Sequence, residues 1–178
     1  MIIGLTGSFG AGKGVVVDYL KTKGFKHYAA RDFITEEITR RGLPVNRDSM
    51  IEVANELRSE HGSSYIIEKL FKQAAAAGGD AVIESLRAVA EVRRMKELGA
   101  VVIGVDADPE VRYQRILGRG SVTDNVSFAE WQAQEKKESN PDDPTKQDIF
   151  GALRESDHIV ANSGTVEELY QKIDQLLA

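Results

Sequence analysis

The sequence predicts an α/β fold, a three-layer α/β/α sandwich around a five-stranded parallel sheet. Short apolar runs alternate with longer segments of helical periodicity, which is the pattern of parallel strands joined by crossover helices. The first apolar run passes through a glycine-rich turn into a helical segment, and the last segment carries a pronounced apolar stripe. The same alternation therefore runs along the whole sequence.

The predicted strands are the apolar runs, and the predicted helices lie between them. The strands are Ile2–Thr6, Lys26–Ala29, Ala81–Glu84, Val101–Val105 and His158–Ala161. The helices are Gly12–Lys23, Asp32–Arg41, Asp48–Glu60, Ser64–Ala77, Val89–Leu98 and Pro109–Leu117. Polar, turn-rich stretches at 118–125 and 140–144 flank a further helix around Trp131 and predict loops or a mobile lid.

Capping residues mark two of the helices. Thr165 and Glu168 have the spacing of a capping box at the start of the last helix. Asp108 stands at an N-cap position before Pro109, which suits the first turn of a helix. The apolar residues that share one face of the last helix are Val166, Leu169, Tyr170, Ile173, Leu176 and Leu177.

Composition limits the class of protein. The 178 residues are 42% hydrophobic and 29% charged, which predicts one globular domain over residues 1–178. A net charge of -5 disfavours a nucleic acid backbone as the main partner. The absence of cysteine excludes disulfides and thiolate metal sites. No apolar run is long enough to span a bilayer and no basic signal region is present, so we expect a cytoplasmic protein with no membrane partner.

A glycine-rich loop follows the first predicted strand. It matches G-x-x-x-x-G-K, in which backbone N–H groups and a helix N-terminus surround phosphate oxygens while the lysine reaches the outer phosphates. We therefore predict a P-loop that binds ATP, with Lys13 as a catalytic residue. The residues predicted to contact the nucleotide here are Gly7, Ser8, Phe9, Gly10, Ala11, Gly12, Lys13, Gly14 and Val15.

The usual Ser or Thr of this motif, whose hydroxyl ligates magnesium, is missing. Position 14 is glycine and position 15 is valine, so Mg²⁺ needs another ligand. Glu84 ends the predicted strand Ala81–Glu84 at the carboxyl edge of the sheet, where P-loop folds carry an acidic residue. We predict that Glu84 holds Mg²⁺ through water. The alternative is a solvated acid at a strand end.

Arg87 follows at the same edge and predicts an anion clamp, because a guanidinium binds phosphate through two parallel hydrogen bonds. Glu84-Ser-Leu-Arg87 resembles the D-G-F-P-R segment of adenylate kinases shortened by one residue. That resemblance implies that Arg87 is catalytic and holds the acceptor monophosphate. A solvated arginine is the alternative.

The turn after the second strand resembles the S-T-G-D-x-x-R acceptor segment of adenylate kinases. Asp32 aligns with the aspartate of that segment, Arg31 with its glycine, and Thr35 with its arginine. The resemblance implies that Arg31 and Asp32 bind the acceptor, with Arg31, or Arg40 and Arg41, replacing the missing arginine. Asp32 could alternatively be a helix N-cap, or a general base if the acceptor is a hydroxyl.

Two later segments resemble nucleotide-binding parts of small-molecule kinases. Arg115-Ile-Leu-Gly-Arg119-Gly is similar to the R-L-L-x-R-G of nucleoside monophosphate kinases, which implies that Arg115 and Arg119 bind ATP and that Arg119 is catalytic. A solvated charged face is the alternative. Asn162-Ser-Gly-Thr165 resembles the N-x-G-S/T of dephospho-coenzyme A kinases, so Asn162, Gly164 and Thr165 are expected to border the adenine.

These resemblances together imply a nucleotide kinase-like P-loop NTPase, with acceptor-binding helices at about 31–77 and a lid-like region at about 118–146. The predicted activity is phosphoryl transfer from ATP, with Mg²⁺, to a nucleoside or deoxynucleoside monophosphate. Dephospho-coenzyme A is the alternative acceptor. Two different classes of protein are also compatible with the loop: a non-catalytic nucleotide-binding module, and a GTPase-like switch, which the T-K-x-D pattern at 145–148 suggests.

Overall fold

A computed structural model of the chain describes residues 1–118, 127–137, 139 and 147–178. The described residues form one five-stranded sheet in the order β2-β3-β1-β4-β5, and every pair of neighbouring strands is parallel. The strands are β1 (Ile2–Gly7), β2 (Lys26–Ala29), β3 (Ala81–Leu86), β4 (Val101–Asp106) and β5 (His158–Ala161). The predicted three-layer α/β fold is confirmed.

Helices cover both faces of the sheet. They are α1 (Lys13–Thr22), α2 (Ala30–Arg40), α3 (Arg47–His61), α4 (Tyr65–Ala77), α5 (Val89–Glu97), α6 (Pro109–Leu117), α7 (Phe128–Lys137), α8 (Ile149–Glu155) and α9 (Val166–Leu177). None of the helices in the described part of the chain is both long and apolar enough to cross a membrane.

Two apolar clusters lie on opposite faces of the sheet, because successive strand residues point to opposite sides. One cluster joins Ile83 of β3 to apolar side chains of α2, α3, α4, α5 and α8. The other joins Val82 of β3 to side chains of α1 and α9. The central strand β1 also contributes Ile3 and Leu5 to the second cluster, and both are fully buried. The three inner strands β1, β3 and β4 are therefore buried on both faces, whereas Ile159 of the edge strand β5 is 57% exposed.

A bulge interrupts the pairing of β1 and β3 near the carboxyl edge. Leu5 pairs with Glu84 and Thr6 with Leu86, so Ser85 has no opposite residue. Ser85 has a φ of 73°, the left-handed region that non-glycine residues rarely adopt. The hydroxyl of Thr6 donates a 2.8 Å hydrogen bond to the carbonyl of Leu86 and fixes the strand beyond the bulge. Bulges of this kind redirect a side chain and commonly lie beside functional sites.

Several predicted boundaries need correction. Strand β3 continues two residues past Glu84, so the strand-end position predicted for that acid is wrong. Helix α2 begins at Ala30 with Ala29 as its N-cap, which places Asp32 in the first turn and makes the N-cap alternative wrong. Helix α8 was not predicted. The capping box of Thr165 and Glu168 is confirmed, whereas Asp108 is at the N-cap position without a side-chain capping bond.

Candidate active site

The glycines of the phosphate loop are required by close backbone contacts. Gly7, Gly10 and Gly12 have φ values of 154°, 82° and 95°. A Cβ at Gly7 would lie 2.3 Å from the carbonyl oxygen of Val105, and one at Gly12 would lie 2.4 Å from Nδ2 of Asn162. No side chain fits at either distance, so the loop depends on glycine both for its φ angles and for its packing.

Side chains from three other elements hold the loop from behind. The hydroxyl of Ser8 donates to the carboxylate of Asp106 at the end of β4. Arg112 of α6 donates to the carbonyl of Phe9 at 3.3 Å. Nδ2 of Asn162, just after β5, donates to the carbonyl of Ala11 at 2.8 Å. The loop is therefore preorganised by residues that follow it in sequence by about 100 to 150 positions.

Lys13 is the first residue of α1 and curls back over the loop. Its ammonium donates to the carbonyls of Gly7, at 2.7 Å, and Ser8, at 3.0 Å. This position places a positive charge beside a helix N-terminus, where the helix dipole also favours an anion. The role of Lys13 in binding phosphate stays a prediction.

Lys13 and Arg87 line one narrow cleft of about 10 Å³, the space of about one water molecule. The lining consists of Gly7, Phe9, Lys13, Ser85, Leu86, Arg87 and Ile149. Ser85 reaches it through the bulge, and Ile149 belongs to the unpredicted helix α8. Two cations that were predicted to face opposite substrates thus share one depression at the carboxyl edge of the sheet. That edge is where α/β proteins bind their ligands.

Glu84 lies outside this lining. Its Oε1 is 3.2 Å from Nε2 of His27 on β2, and its side chain is about one quarter exposed. Position 14, where the motif usually has its hydroxyl, is exposed, and a Cβ there would have no atom within 4 Å. Among the residues that the structure describes, no three acidic or histidine side chains are grouped to hold a metal ion.

Asp106 is an acid that the sequence did not single out. It ends β4 directly beside the phosphate loop, since Val105 pairs with Gly7. Besides accepting from Ser8, its carboxylate lies 3.7 Å from Nε of Arg112, and its side chain is 41% exposed. The available signal was an apolar run ending in a carboxylate, the pattern that drew attention to Glu84.

Arg31 and Asp32 lie in the first turn of α2, and both side chains are exposed. They follow β2, which is the edge strand paired in parallel with β3. They therefore lie at the same carboxyl edge of the sheet as Arg87. Arg40 and Arg41, the proposed replacements for the missing acceptor arginine, both bond the carboxylate of Glu37. Arg31 is therefore the better candidate for an acceptor contact on this helix.

Of the residues predicted to bind ATP beyond the phosphate loop, Asn162 and Arg115 lie beside that loop. Arg115 donates to the carbonyl of Asn162 at 2.8 Å. Thr165 caps α9, and a Cβ at Gly164 would overlap the carboxylate of Glu168. Arg119 lies outside the described residues, as does most of the lid-like region at 118–146.

Arg112 is buried and joins the phosphate loop to α7. Besides bonding Phe9, it donates to the carbonyl of Ala107 at 2.9 Å and forms a two-pronged ion pair with Glu135 of α7. Its guanidinium also lies 4.9 Å from the ring centre of Trp131. The side chain of Arg112 is only 3% exposed, so these contacts give it a structural role between the phosphate loop and α7. No role was predicted for Arg112 from the sequence.

The T-K-x-D pattern of the switch alternative ends at Asp148, while positions 145 and 146 lie outside the described residues. Asp148 is the N-cap of α8 and accepts from the backbone of Gly151 at 3.0 Å. It also accepts from the hydroxyl of Ser139 at 2.7 Å. Its carboxylate is therefore committed to holding this helix start, which leaves the guanine-reading role without support.

Relatives of the chain share nearly its whole length. A family model described as an AAA domain matches residues 3–140. A UPF0200 protein of Pyrobaculum aerophilum is 30% identical, over 99% of this chain and 96% of that protein. A UPF0200 protein of Thermococcus sibiricus is 28% identical, over 99% of this chain and 93% of the relative.

Solved structures share the fold at low identity. Shikimate kinase from Bacteroides thetaiotaomicron has a TM-score of 0.60 at 14% identity, covering 99% of this chain and 98% of its own. A sugar kinase from Janibacter sp. HTCC2649 has a TM-score of 0.55 at 16% identity, covering 99% and 93%. The predicted P-loop, kinase-like fold is confirmed by these neighbours. The narrower resemblance to adenylate and dephospho-coenzyme A kinases stays a prediction.

Proposed function

This chain belongs to the AAA domain family and to the UPF0200 proteins, and we propose that it is an ATP-dependent phosphotransferase with a small nucleotide-like acceptor. One observation carries the proposal: Lys13 and Arg87 line the same cleft. A cation for the outer phosphates of the donor and a cation for an anionic acceptor therefore lie where the two substrates must meet.

ATP is the proposed donor. The backbone N–H groups of a loop of this kind and the N-terminus of α1 would surround the phosphates, while Lys13 would exchange its carbonyl contacts for oxygens of the β- and γ-phosphates. Asn162, Gly164 and Thr165 would border the adenine, and Arg115 and Arg119 would neutralise charge on the phosphates of ATP. Mg²⁺, when bound, neutralises phosphate charge, and Glu84 or Asp106 would hold its water ligands.

The proposed acceptor is a nucleoside monophosphate. Arg87 would hold its phosphate with help from Arg31, and an acceptor oxygen would attack the γ-phosphorus. The new P–O bond would form as the bond to the β–γ bridging oxygen breaks, which leaves ADP. An acceptor of this kind brings its own negative charge, so it needs a cationic clamp more than a general base.

A hydroxyl acceptor is the second candidate. Two structural neighbours are named for shikimate and for a sugar, and dephospho-coenzyme A also presents a sugar hydroxyl. For such an acceptor Asp32, exposed at the start of α2, would accept the hydroxyl proton. Arg87 would then contact a different anionic group of the acceptor.

The test is acceptor-dependent ADP formation with magnesium ATP. The acceptor panel contains the ribose and deoxyribose nucleoside monophosphates, dephospho-coenzyme A, shikimate and simple sugars. We expect turnover with at least one monophosphate. Turnover with only hydroxyl acceptors would reject the monophosphate proposal and make Asp32→Asn the next variant to measure.

The same panel separates an enzyme from a binding module. A non-catalytic module would bind ATP and give no ADP above background with any acceptor. Lys13→Ala is the negative control, because a contaminating kinase would still be active in that preparation. Equal ADP formation by wild type and Lys13→Ala would therefore contradict the assignment of an activity to this chain.

A further inference from the structure

Glu91 is a buried acid that lies outside the lining of the cleft. It is in the first turn of α5 and is 3% exposed. Its Oε2 accepts hydrogen bonds from the backbone N–H groups of Arg87, at 2.7 Å, and Ala88, at 3.2 Å. The carboxylate therefore closes over the two residues that connect β3 to α5.

Further contacts fix the same connection from other sides. The carbonyl of Arg87 accepts a 2.9 Å hydrogen bond from the backbone N–H of Asp148. The carbonyl of Leu86 accepts from the hydroxyl of Thr6 at 2.8 Å. Hydrogen bonds from β1, α5 and the N-cap of α8 consequently fix the backbone of Leu86, Arg87 and Ala88. Within this set Glu91 holds two backbone groups with one side chain.

Burial makes a charged carboxylate at Glu91 unfavourable, and hydrogen bonds and a nearby guanidinium offset this. Burial raises the pKa of Glu91, while the backbone N–H of Arg87 and the guanidinium of Arg58 oppose that rise. A buried acid without such donors would be strongly unfavourable. The two N–H groups thus stabilise Glu91, and Glu91 in turn satisfies them.

We infer that Glu91 is the positioning residue of the acceptor site, because it fixes the backbone that presents Arg87 to the cleft. The inference rests on the proposed function, in which Arg87 binds the acceptor. The side chain of Arg87 is half-buried in the cleft lining, and its direction follows from the backbone at its own position. Displacement of a binding group by about 1 Å can cost on the order of 100-fold in rate.

The experiment compares three variants of the full chain. Glu91→Ala removes both hydrogen bonds, Glu91→Asp withdraws the carboxylate by one methylene, and Glu91→Gln keeps an oxygen acceptor without the charge. The readouts are KM for the best monophosphate, KM for ATP, and amide hydrogen exchange at 85–89. The matched control is Asp157→Ala, since Asp157 also accepts from a backbone N–H, that of Val102 at 2.8 Å, away from the cleft.

For Glu91→Ala and Glu91→Asp we expect the acceptor KM to rise by roughly 10- to 100-fold, with the KM for ATP within about twofold. Exchange at 85–89 should accelerate in both variants, and Glu91→Gln should restore both readouts. If Glu91→Ala does not fold, the comparison is made with Glu91→Asp alone. The Asp157 control should leave both KM values unchanged.

Several results would overturn the inference. They are an unchanged acceptor KM in Glu91→Asp, equal rises in both KM values, and a glutamine variant as impaired as the alanine variant. A wild-type chain inert with every acceptor would instead reject the proposed function, and the acceptor role of Glu91 with it. Turnover by wild type with no effect of the Glu91 variants would reject only the positioning role.

Discussion

Side chains behind the phosphate loop determine its shape together with its glycines. Asp106, Arg112 and Asn162 bond three successive parts of the loop, and Asn162 also occupies the space that a Cβ at Gly12 would need. The loop conformation is thus built before any phosphate arrives. Preorganised dipoles of this kind lower the barrier of charge-transfer chemistry because they need no reorganisation during the reaction.

Lys13→Ala should reduce turnover by roughly 100- to 1,000-fold, because the ammonium stabilises charge that develops on the transferring phosphoryl group. The measurement is kcat with magnesium ATP and the best acceptor. Lys21→Ala is the control, since Lys21 is an exposed lysine on the same helix. Retained activity in a folded Lys13→Ala variant would contradict the role of this residue.

Arg87→Lys should lower acceptor kcat/KM by about 10- to 150-fold, because a charge-assisted hydrogen bond is worth roughly 1.5–3 kcal/mol and lysine lacks the planar fork. The KM for ATP should change little. Arg93→Lys on the exposed face of α5 is the control. If both KM values rise equally, Arg87 does not distinguish the acceptor from the donor.

Glu84→Gln and Asp106→Asn should identify the acid that holds the water ligands of Mg²⁺. Removal of the correct carboxylate should raise the Mg²⁺ concentration for half-maximal activity on the order of tenfold, the usual effect of losing an outer-shell partner. Asp106 is beside the phosphate loop, whereas Glu84 faces His27, so we expect the larger effect at Asp106. The measurement is a magnesium titration at saturating ATP.

Gly14→Ser tests the same metal site in the opposite direction, because it adds a ligand instead of removing one. A Cβ at position 14 would meet no atom within 4 Å, so serine fits there and supplies the hydroxyl that the motif usually has. The variant should need less Mg²⁺ than wild type for half-maximal activity. An unchanged titration in all three variants would show that the phosphates and water alone hold the metal.

Local sequence predicted the glycine loop and Lys13, because their chemistry depends on neighbours along the chain. The position of Ser85 could not be predicted in the same way, since the bulge there depends on how β3 pairs with β1. Asp106 has the same strand-end pattern as Glu84, and its place beside the phosphate loop depends on the pairing of β4 with β1. The role of Arg112 could not be predicted for a related reason. Its burial follows from contacts with Glu135 and Trp131, which periodicity within α6 does not reveal.

At the level of helices and strands, the five strands and the amphipathic helices were predictable, whereas the short helix α8 was not. Helix α9 matched its prediction because its apolar stripe and capping box agree. Helix α8 has seven residues, and its start depends on the cap at Asp148 and on packing of Ala152 into the core. Strand β3 was predicted two residues short because Glu84 and Ser85 interrupt its apolar run.

Helix α2 provides a test of stability against pH. Hydrogen bonds from Arg40 and then Arg41 lower the pKa of Glu37 from 4.5 to about 2. A carboxylate with a lowered folded-state pKa stabilises the protein above its unfolded pKa, and this contribution is lost as the pH falls toward about 2. The Tm advantage of wild type over Glu37→Gln should therefore be present at pH 6 and disappear near pH 2.

The size of this effect is limited by exposure of the arginines. Arg40 is 72% exposed, and exposed ion pairs contribute roughly 0.2–1 kcal/mol, which corresponds to a few degrees in Tm at most. Glu36→Gln is the control, because it removes an exposed carboxylate from the preceding position. A Tm difference that is constant from pH 6 to pH 2 would exclude the proposed linkage.

At the scale of the whole molecule, the helices beside the site belong to two apolar clusters on opposite faces of the sheet. The elements on the proposed acceptor side, α2 to α5 and α8, share one apolar cluster, and α1 with α9 share the other. Among the described residues, the two sets pack on opposite faces of the central strands, and Lys13 and Arg87 line the cleft at the carboxyl edge of those strands. Donor binding and acceptor binding should therefore be separable by mutation.

Thermal unfolding with ATP tests this separation. A ligand at 100 times its Kd stabilises the folded state by about 2.7 kcal/mol, or roughly 5–10 °C for a chain of this length. Magnesium ATP should raise the Tm of wild type and of Arg87→Lys by equal amounts, because Arg87 belongs to the acceptor side. Lys13→Ala should lose most of the increase. An equal loss in Arg87→Lys would mean that Arg87 contacts ATP, and the acceptor clamp would then have to be sought at Arg31, on the exposed start of α2.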